Sequence, residues 1–158
     1  MVIKVIGLGN PFRGDDGVGN VVARRLRPFQ SSSIVIIAGG LAGLNLLHEM
    51  EGTDRLILVD AMSSGTEEGT IVRLTLPQDF EEAGRLAWYA SDSSTHSVGL
   101  QEALTLADTL GDLPHDVIIY GIELGSLAPG TTLSPKVEAA MHIVADRIAD
   151  HDLRLSPV

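Results

Sequence analysis

The side chains of this 158-residue chain best suited to chemistry are the adjacent carboxylates Asp15 and Asp16, the carboxylate of Asp60, and the imidazole of His96. Asp15 and Asp16 lie in Gly7-Leu8-Gly9-Asn10-Pro11-Phe12-Arg13-Gly14-Asp15-Asp16-Gly17-Val18-Gly19, a glycine-rich run that follows the apolar stretch Val2-Ile3-Lys4-Val5-Ile6. Asp60 ends the apolar run Leu56-Ile57-Leu58-Val59, and His96 ends the polar run Ser91-Asp92-Ser93-Ser94-Thr95. Two carboxylates and one imidazole, with coordination positions left open, make a divalent transition-metal site. Each also has an ordinary explanation when taken alone. Asp60 could cap a loop, Asp16 could cap a helix with Asp15 favouring its dipole, and His96 could be an exposed helix-start residue. It is their shared placement at the ends of expected strands that favours a site. The remaining histidines, His48, His115, His142 and His151, fall in helical, turn or tail positions and read as surface residues.

Several other chemistries do not fit. A dinucleotide fingerprint needs glycine where Phe12 stands, and the next strand ends at Ala38 without an acid to hold a ribose. Two acids in the phosphate position would also repel a pyrophosphate. There is no Gly-x-Ser-x-Gly elbow and no His-Glu-x-x-His helix, and Thr95-His96-Ser97 has no framework to orient its hydroxyls. With no cysteine, disulfides, thiolate nucleophiles and thiolate metal sites are excluded. A net charge of −10 disfavours nucleic acid and anionic membranes as partners. The cluster Arg24-Arg25-Leu26-Arg27 suits a helix C-terminus. The apolar stretch at residues 2–8 is short and interrupted by Lys4, and no run of about 18 apolar residues exists, so neither a leader nor a membrane span is expected. Cytoplasm is the expected compartment.

The elements that must position these residues alternate between strand-like apolar runs and helical patterns. That alternation predicts a mostly parallel sheet covered on both faces. Strands are expected at Val2–Gly7, Ile34–Ile37, Arg55–Asp60 and Asp116–Ile122, with Thr70–Leu76 as a half-wet edge strand. Helices are expected from about Gly17 to Leu26, stopped by Pro28, and at Leu44–Met50 and Val98–Leu110. A final helix is entered at Ser134-Pro135, with Ser134 as its cap. Ser63–Gly69 reads as loop, and residues 77–96 are the least regular stretch. One domain over residues 1–150 and a short tail over 151–158 are expected. In a parallel sheet ligands gather beyond the carboxyl ends of the strands, so Asp16 and Asp60 would share a rim and the 77–96 stretch could bring His96 over it.

In order and spacing, several blocks resemble the hydrogenase maturation endopeptidases. They are Gly7-x-Gly9-Asn10, Gly14-Asp15-Asp16-Gly17-x-Gly19, Gly39-Gly40-x-Ala42-Gly43, Val59-Asp60-Ala61 and His96. Gly69-Thr70, Tyr120-Gly121-Ile122 and Leu133-Ser134-Pro135-x-Val137-Glu138 extend the likeness over most of the chain. The resemblance implies a three-layer α/β/α sandwich around a twisted, mostly parallel five-stranded sheet. It also implies removal of a C-terminal peptide from the large-subunit precursor of a nickel–iron hydrogenase after nickel insertion. The family's nickel-contacting positions fall on Asp16, Asp60 and His96, with the nickel carried by the precursor. Two departures stand out. Some members have Glu where Asp16 stands, and many have Asp-Gly-Gly-Thr where this chain has Ala38-Gly39-Gly40-Leu41. Two further readings stay open: a nickel-sensing checkpoint that binds the precursor without cutting, and a small-molecule hydrolase.

Overall fold

A computed structural model of the chain describes residues 1–40, 44–88 and 99–154. Its strands are β1 (Ile3–Leu8), β2 (Ile34–Gly40), β3 (Arg55–Met62), β4 (Ile71–Leu76) and β5 (Asp116–Glu123). They form one sheet in the order β2-β1-β3-β5-β4. The first four are parallel, and β4 closes the edge antiparallel to β5. The half-wet pattern expected of β4 is seen, with Leu74 and Leu76 buried and Arg73 exposed.

Side chains alternate along each strand, and the sheet therefore offers two apolar faces. On one, Val5, Ile57, Val59, Ile118 and Ile122 pack against α1 (Val18–Leu26) and α5 (Pro135–Arg147). On the other, Ile6, Leu8, Leu56, Leu58 and Ile119 pack against α2 (Leu44–Met50), α3 (Phe80–Arg85) and α4 (Leu100–Leu110). The result is the three-layer sandwich. Beyond α5, a π-helical turn at Ile148–Asp152 continues the packing, with Ile148 and Leu153 in the core. Buried Asp152 accepts a hydrogen bond from the Tyr120 hydroxyl at 2.5 Å and pairs with Arg73 at 3.1 Å, which fastens this turn to the sheet.

The order of strands creates a crevice. The chain leaves β1 for β2 on one side and returns to β3 on the other, so the connections after β1 and β3 diverge above adjacent strands. Such a switch point is where open α/β sheets bind ligands. Here the loop carrying Asp16 follows β1, and Asp60 lies in β3.

Three expectations need correction. Asp60 does not end its strand: the β3–β5 ladder runs on to Met62 opposite Glu123, because Ala61 and Met62 are as buried as the residues before them. Within 77–96, Phe80–Arg85 is a helix. It buries only Ala83, so it has no apolar periodicity to reveal it. Ser134 does occupy the N-cap position of α5, but its hydroxyl makes no cap bond, because it bonds the carboxylate of Asp15 instead.

Candidate active site

The chain that leaves β1 does not pass directly into α1. Residues Gly14–Gly17 form a tight 3₁₀ turn, and Asp15 and Asp16, both 0% exposed, project from it in different directions. Asp15 faces the β5–α5 connection. Its Oδ2 accepts hydrogen bonds from the backbone N–H of Gly125 (2.8 Å) and Ser126 (2.6 Å) and from the Ser134 hydroxyl (2.7 Å), while its Oδ1 accepts the Ser134 N–H (2.7 Å). Burial pushes this carboxyl up, but the bonds from Ser126, Ser134 and Gly125 outweigh it and hold the group below its ordinary value. Asp15 is thus a charged rivet between two loops. Backbone bonds from Asp15 N–H to the Ser126 carbonyl and from Gly14 N–H to the Gly130 carbonyl reinforce the seam.

Asp16 faces the crevice. Its Oδ2 accepts the Asn10 N–H at 2.9 Å, and its Oδ1 is buried without a partner. Burial raises its pKa, against the opposing pull of the Asn10 bond and the Arg13 charge. Asp60, 5% exposed, accepts one hydrogen bond, from the Ala61 N–H to Oδ1 at 2.8 Å. Burial pushes Asp60 well above the ordinary range; the Ala61 bond opposes this and the neighbouring charge of Asp16 adds to it. The charge of Asp16 is therefore felt at Asp60. Two such groups favour sharing one proton, or sharing a cation, over both standing ionised.

The site residues of the sequence reading therefore divide. Asp16 and Asp60 come together at the carboxyl rim. His96 lies outside the described residues, and among the described residues no three acids or histidines could hold a metal. The two oxygen donors nonetheless fit a divalent cation, since one oxygen is orphaned and a positive charge would relieve both the burial cost and the repulsion. Ala38 sits half-buried near the end of β2, and Leu41 is outside the described residues.

Three contributors were not identified from sequence. Asp15, read as a carboxylate placed for chemistry or else as a helix-dipole partner, is a structural tie. The charge of Arg13 favours the ionised form of Asp16. Glu123, buried at the end of β5, accepts bonds from the Ser64 N–H (2.9 Å) and the Thr66 hydroxyl (2.6 Å), so it holds the loop after β3. An acid closing an apolar strand was the available signal for Glu123, the same signal that marked Asp60.

The glycine that matters most here is Gly9, which adopts φ +102. A Cβ there would overlap the Asp16 main-chain oxygen and come within 3.0 Å of Asp16 Oδ1. Gly14 and Gly39 also have positive φ, as expected of the first two loops. Gly9→Ala is expected to displace the Asp16 turn and cut any activity that depends on Asp16 by about 100-fold, since misplacement of about 1 Å costs that much. Steady-state assays beside far-UV circular dichroism would check this; wild-type rates in the variant would be inconsistent with the packing described.

Comparison with known proteins bears on the whole chain. Residues 18–151 match the hydrogenase maturation protease family. The hydrogenase expression/formation protein HupD of Bradyrhizobium diazoefficiens is 32% identical over 91% of this chain and 78% of its own length. The hydrogenase 2 maturation protease of Escherichia coli is 30% identical over 94% of this chain and 88% of its own. The solved structure of the E. coli hydrogenase maturating endopeptidase HybD superposes with a TM-score of 0.77 at 28% identity, covering 94% of this chain and 90% of that one.

Proposed function

This chain belongs to the hydrogenase maturation protease family, and we propose that it is a nickel-dependent endopeptidase that removes the C-terminal peptide of a nickel–iron hydrogenase large-subunit precursor. The observation that supports this reading is the buried pair Asp16 and Asp60 above β1 and β3, where the charge of Asp16 is felt at Asp60 and Asp16 Oδ1 has no partner among the described residues. Nickel belongs to the substrate here: it arrives in the precursor and marks a subunit ready for processing. Bound beside the carboxylates, it would polarise a carbonyl or acidify a water.

The chain's own groups can then move protons. Without the cation the pair favours one proton, held at Asp60 by burial. Beside nickel both carboxylates would stand ionised. One takes a proton from water as the water oxygen bonds the scissile carbonyl carbon, then passes it to the departing amine as the C–N bond breaks. His96 is proposed as the third nickel contact. The position of Trp88 supports this, because it pairs with Met62, two residues past Asp60, and so tethers the start of the connecting segment at this rim. His96→Ala is expected to lose cleavage while keeping its thermal transition within a few degrees. No helix among the described residues is long and apolar enough to cross a membrane.

The test is to incubate the protein with nickel-loaded and nickel-free large-subunit precursors and measure the intact mass of each. Loss of a C-terminal peptide from the nickel-loaded form alone is expected. Equal trimming of both forms would remove the nickel dependence, and a stable uncut complex would select a checkpoint role.

A further inference from the structure

A second orphaned oxygen lies one strand away from the Asp16–Asp60 crevice. Asn20, in the first turn of α1, is 0% exposed. Its Nδ2 donates to the Gly9 carbonyl at 2.7 Å, which fixes the orientation of the amide. Its Oδ1 is buried and has no partner. The group nearest to covering it is Gly39 at the end of β2: a Cβ added there would sit 3.6 Å from Oδ1. Gly39 is exposed and holds φ +81, and its missing side chain leaves space toward this acceptor. A buried amide oxygen without a donor is costly unless a ligand supplies one.

We propose that Asn20 Oδ1, framed by Gly9 and Gly39, is an acceptor subsite for a main-chain N–H of the precursor segment that crosses the rim beside Asp16. The inference rests on the protease reading above. The donor must be slim, because the described residues nearest the oxygen are Gly9 and Gly39. It need not be charged, because the acceptor is a neutral amide. A peptide N–H in extended conformation meets both conditions, and Gly9 links the subsite directly to Asp16, whose Oδ1 lies beside the same glycine. Asn20 is then a substrate-positioning residue that acts on binding and leaves proton transfer to the carboxylates.

The test uses two variants that disable the oxygen differently. Asn20→Leu removes it together with the bond to Gly9, and Gly39→Ala sets a Cβ 3.6 Å from it, at a left-handed φ that strains alanine but leaves the Gly9 bond in place. With the nickel-loaded precursor, both are expected to raise KM about tenfold. The kcat is expected to stay within about twofold in Gly39→Ala and to fall as well in Asn20→Leu, which also loses the Gly9 bond beside Asp16. Affinity for the uncut precursor, read separately by biolayer interferometry, should fall by a similar factor. Unchanged KM and affinity in Gly39→Ala would overturn the proposal and leave the oxygen to a buried water. A fall in kcat alone in both variants would overturn it too, since Asn20 would then act through the Asp16 turn. If the wild type binds the precursor without cutting and the variants bind more weakly, the protease reading fails and the subsite stands. If the wild type does not bind at all, both fall.

Discussion

Asp60→Asn is expected to lower the cleavage rate by about 10²–10⁴-fold, the range for losing a positioned acid or base, while the protein at neutral pH melts no lower than wild type. The second half follows from burial. Asp60 is desolvated and stands beside Asp16, so its carboxyl holds a proton well above its ordinary value near 3.8. Between that ordinary value and the raised one, the folded protein binds a proton that the unfolded chain has released. Stability therefore falls as pH rises through this window, and Asp60 opposes folding at pH above it. Asparagine keeps the shape and removes the titration, so the variant should lose that slope. Asp16→Asn should behave in the same sense, since burial raises its pKa too, but with a smaller change because the Asn10 bond and Arg13 already favour its charge. Melting curves at several pH values between 4 and 8, run beside precursor assays, check both halves. Cleavage at wild-type rates by Asp60→Asn would end the catalytic assignment.

Asp15→Asn, one residue from Asp16, should do the opposite. Its carboxylate gathers four donors from Gly125, Ser126 and Ser134, and those bonds overcome burial to depress its pKa. Stability from Asp15 is accordingly present above its unfolded value near 3.8 and is lost as pH falls through the depressed one. An amide in its place would turn an NH₂ toward groups that are themselves donors. The expected cost is about 2–4 kcal/mol, a fall in Tm of roughly 5–15 °C at neutral pH, through unsatisfied buried bonds. Activity should fall as well, because the 3₁₀ turn that carries Asp16 would lose its anchor on the β5–α5 connection. A Tm at pH 7 equal to that of wild type would contradict the rivet described here. The contrast between Asp15 and Asp60 is the sharper check, since equal substitutions of like residues are predicted to shift stability in opposite directions.

How much of this is legible in the sequence follows from what each residue touches. Runs such as Leu56-Ile57-Leu58-Val59 declare buried strands because both sheet faces are covered, and the place of Asp16 in the loop after the first strand and of Asp60 after four apolar strand residues declares their rim. Local pattern is enough for both. The tie made by Asp15 is different, since its partners lie more than 100 residues away and are two main-chain amides and a serine that reads as a helix cap. Asn20 is equally hidden. In a helix whose apolar stripe is Val18, Val22 and Leu26, an asparagine reads as a surface residue, and it is buried here only because Gly9 and Gly39 bring bare backbone against it. Helix α3 is missed because one buried alanine in six residues makes no pattern.

The central claim is that the paired carboxylates of the β1–β3 crevice cut a hydrogenase large-subunit precursor. The most direct measurement is the intact mass of nickel-loaded precursor after incubation with wild-type protein and, in parallel, with Asp60→Asn at equal concentration. The wild type is expected to shorten the precursor at its C-terminus, and the variant to leave it at full length. A precursor left whole by both, or shortened equally by both, would contradict it.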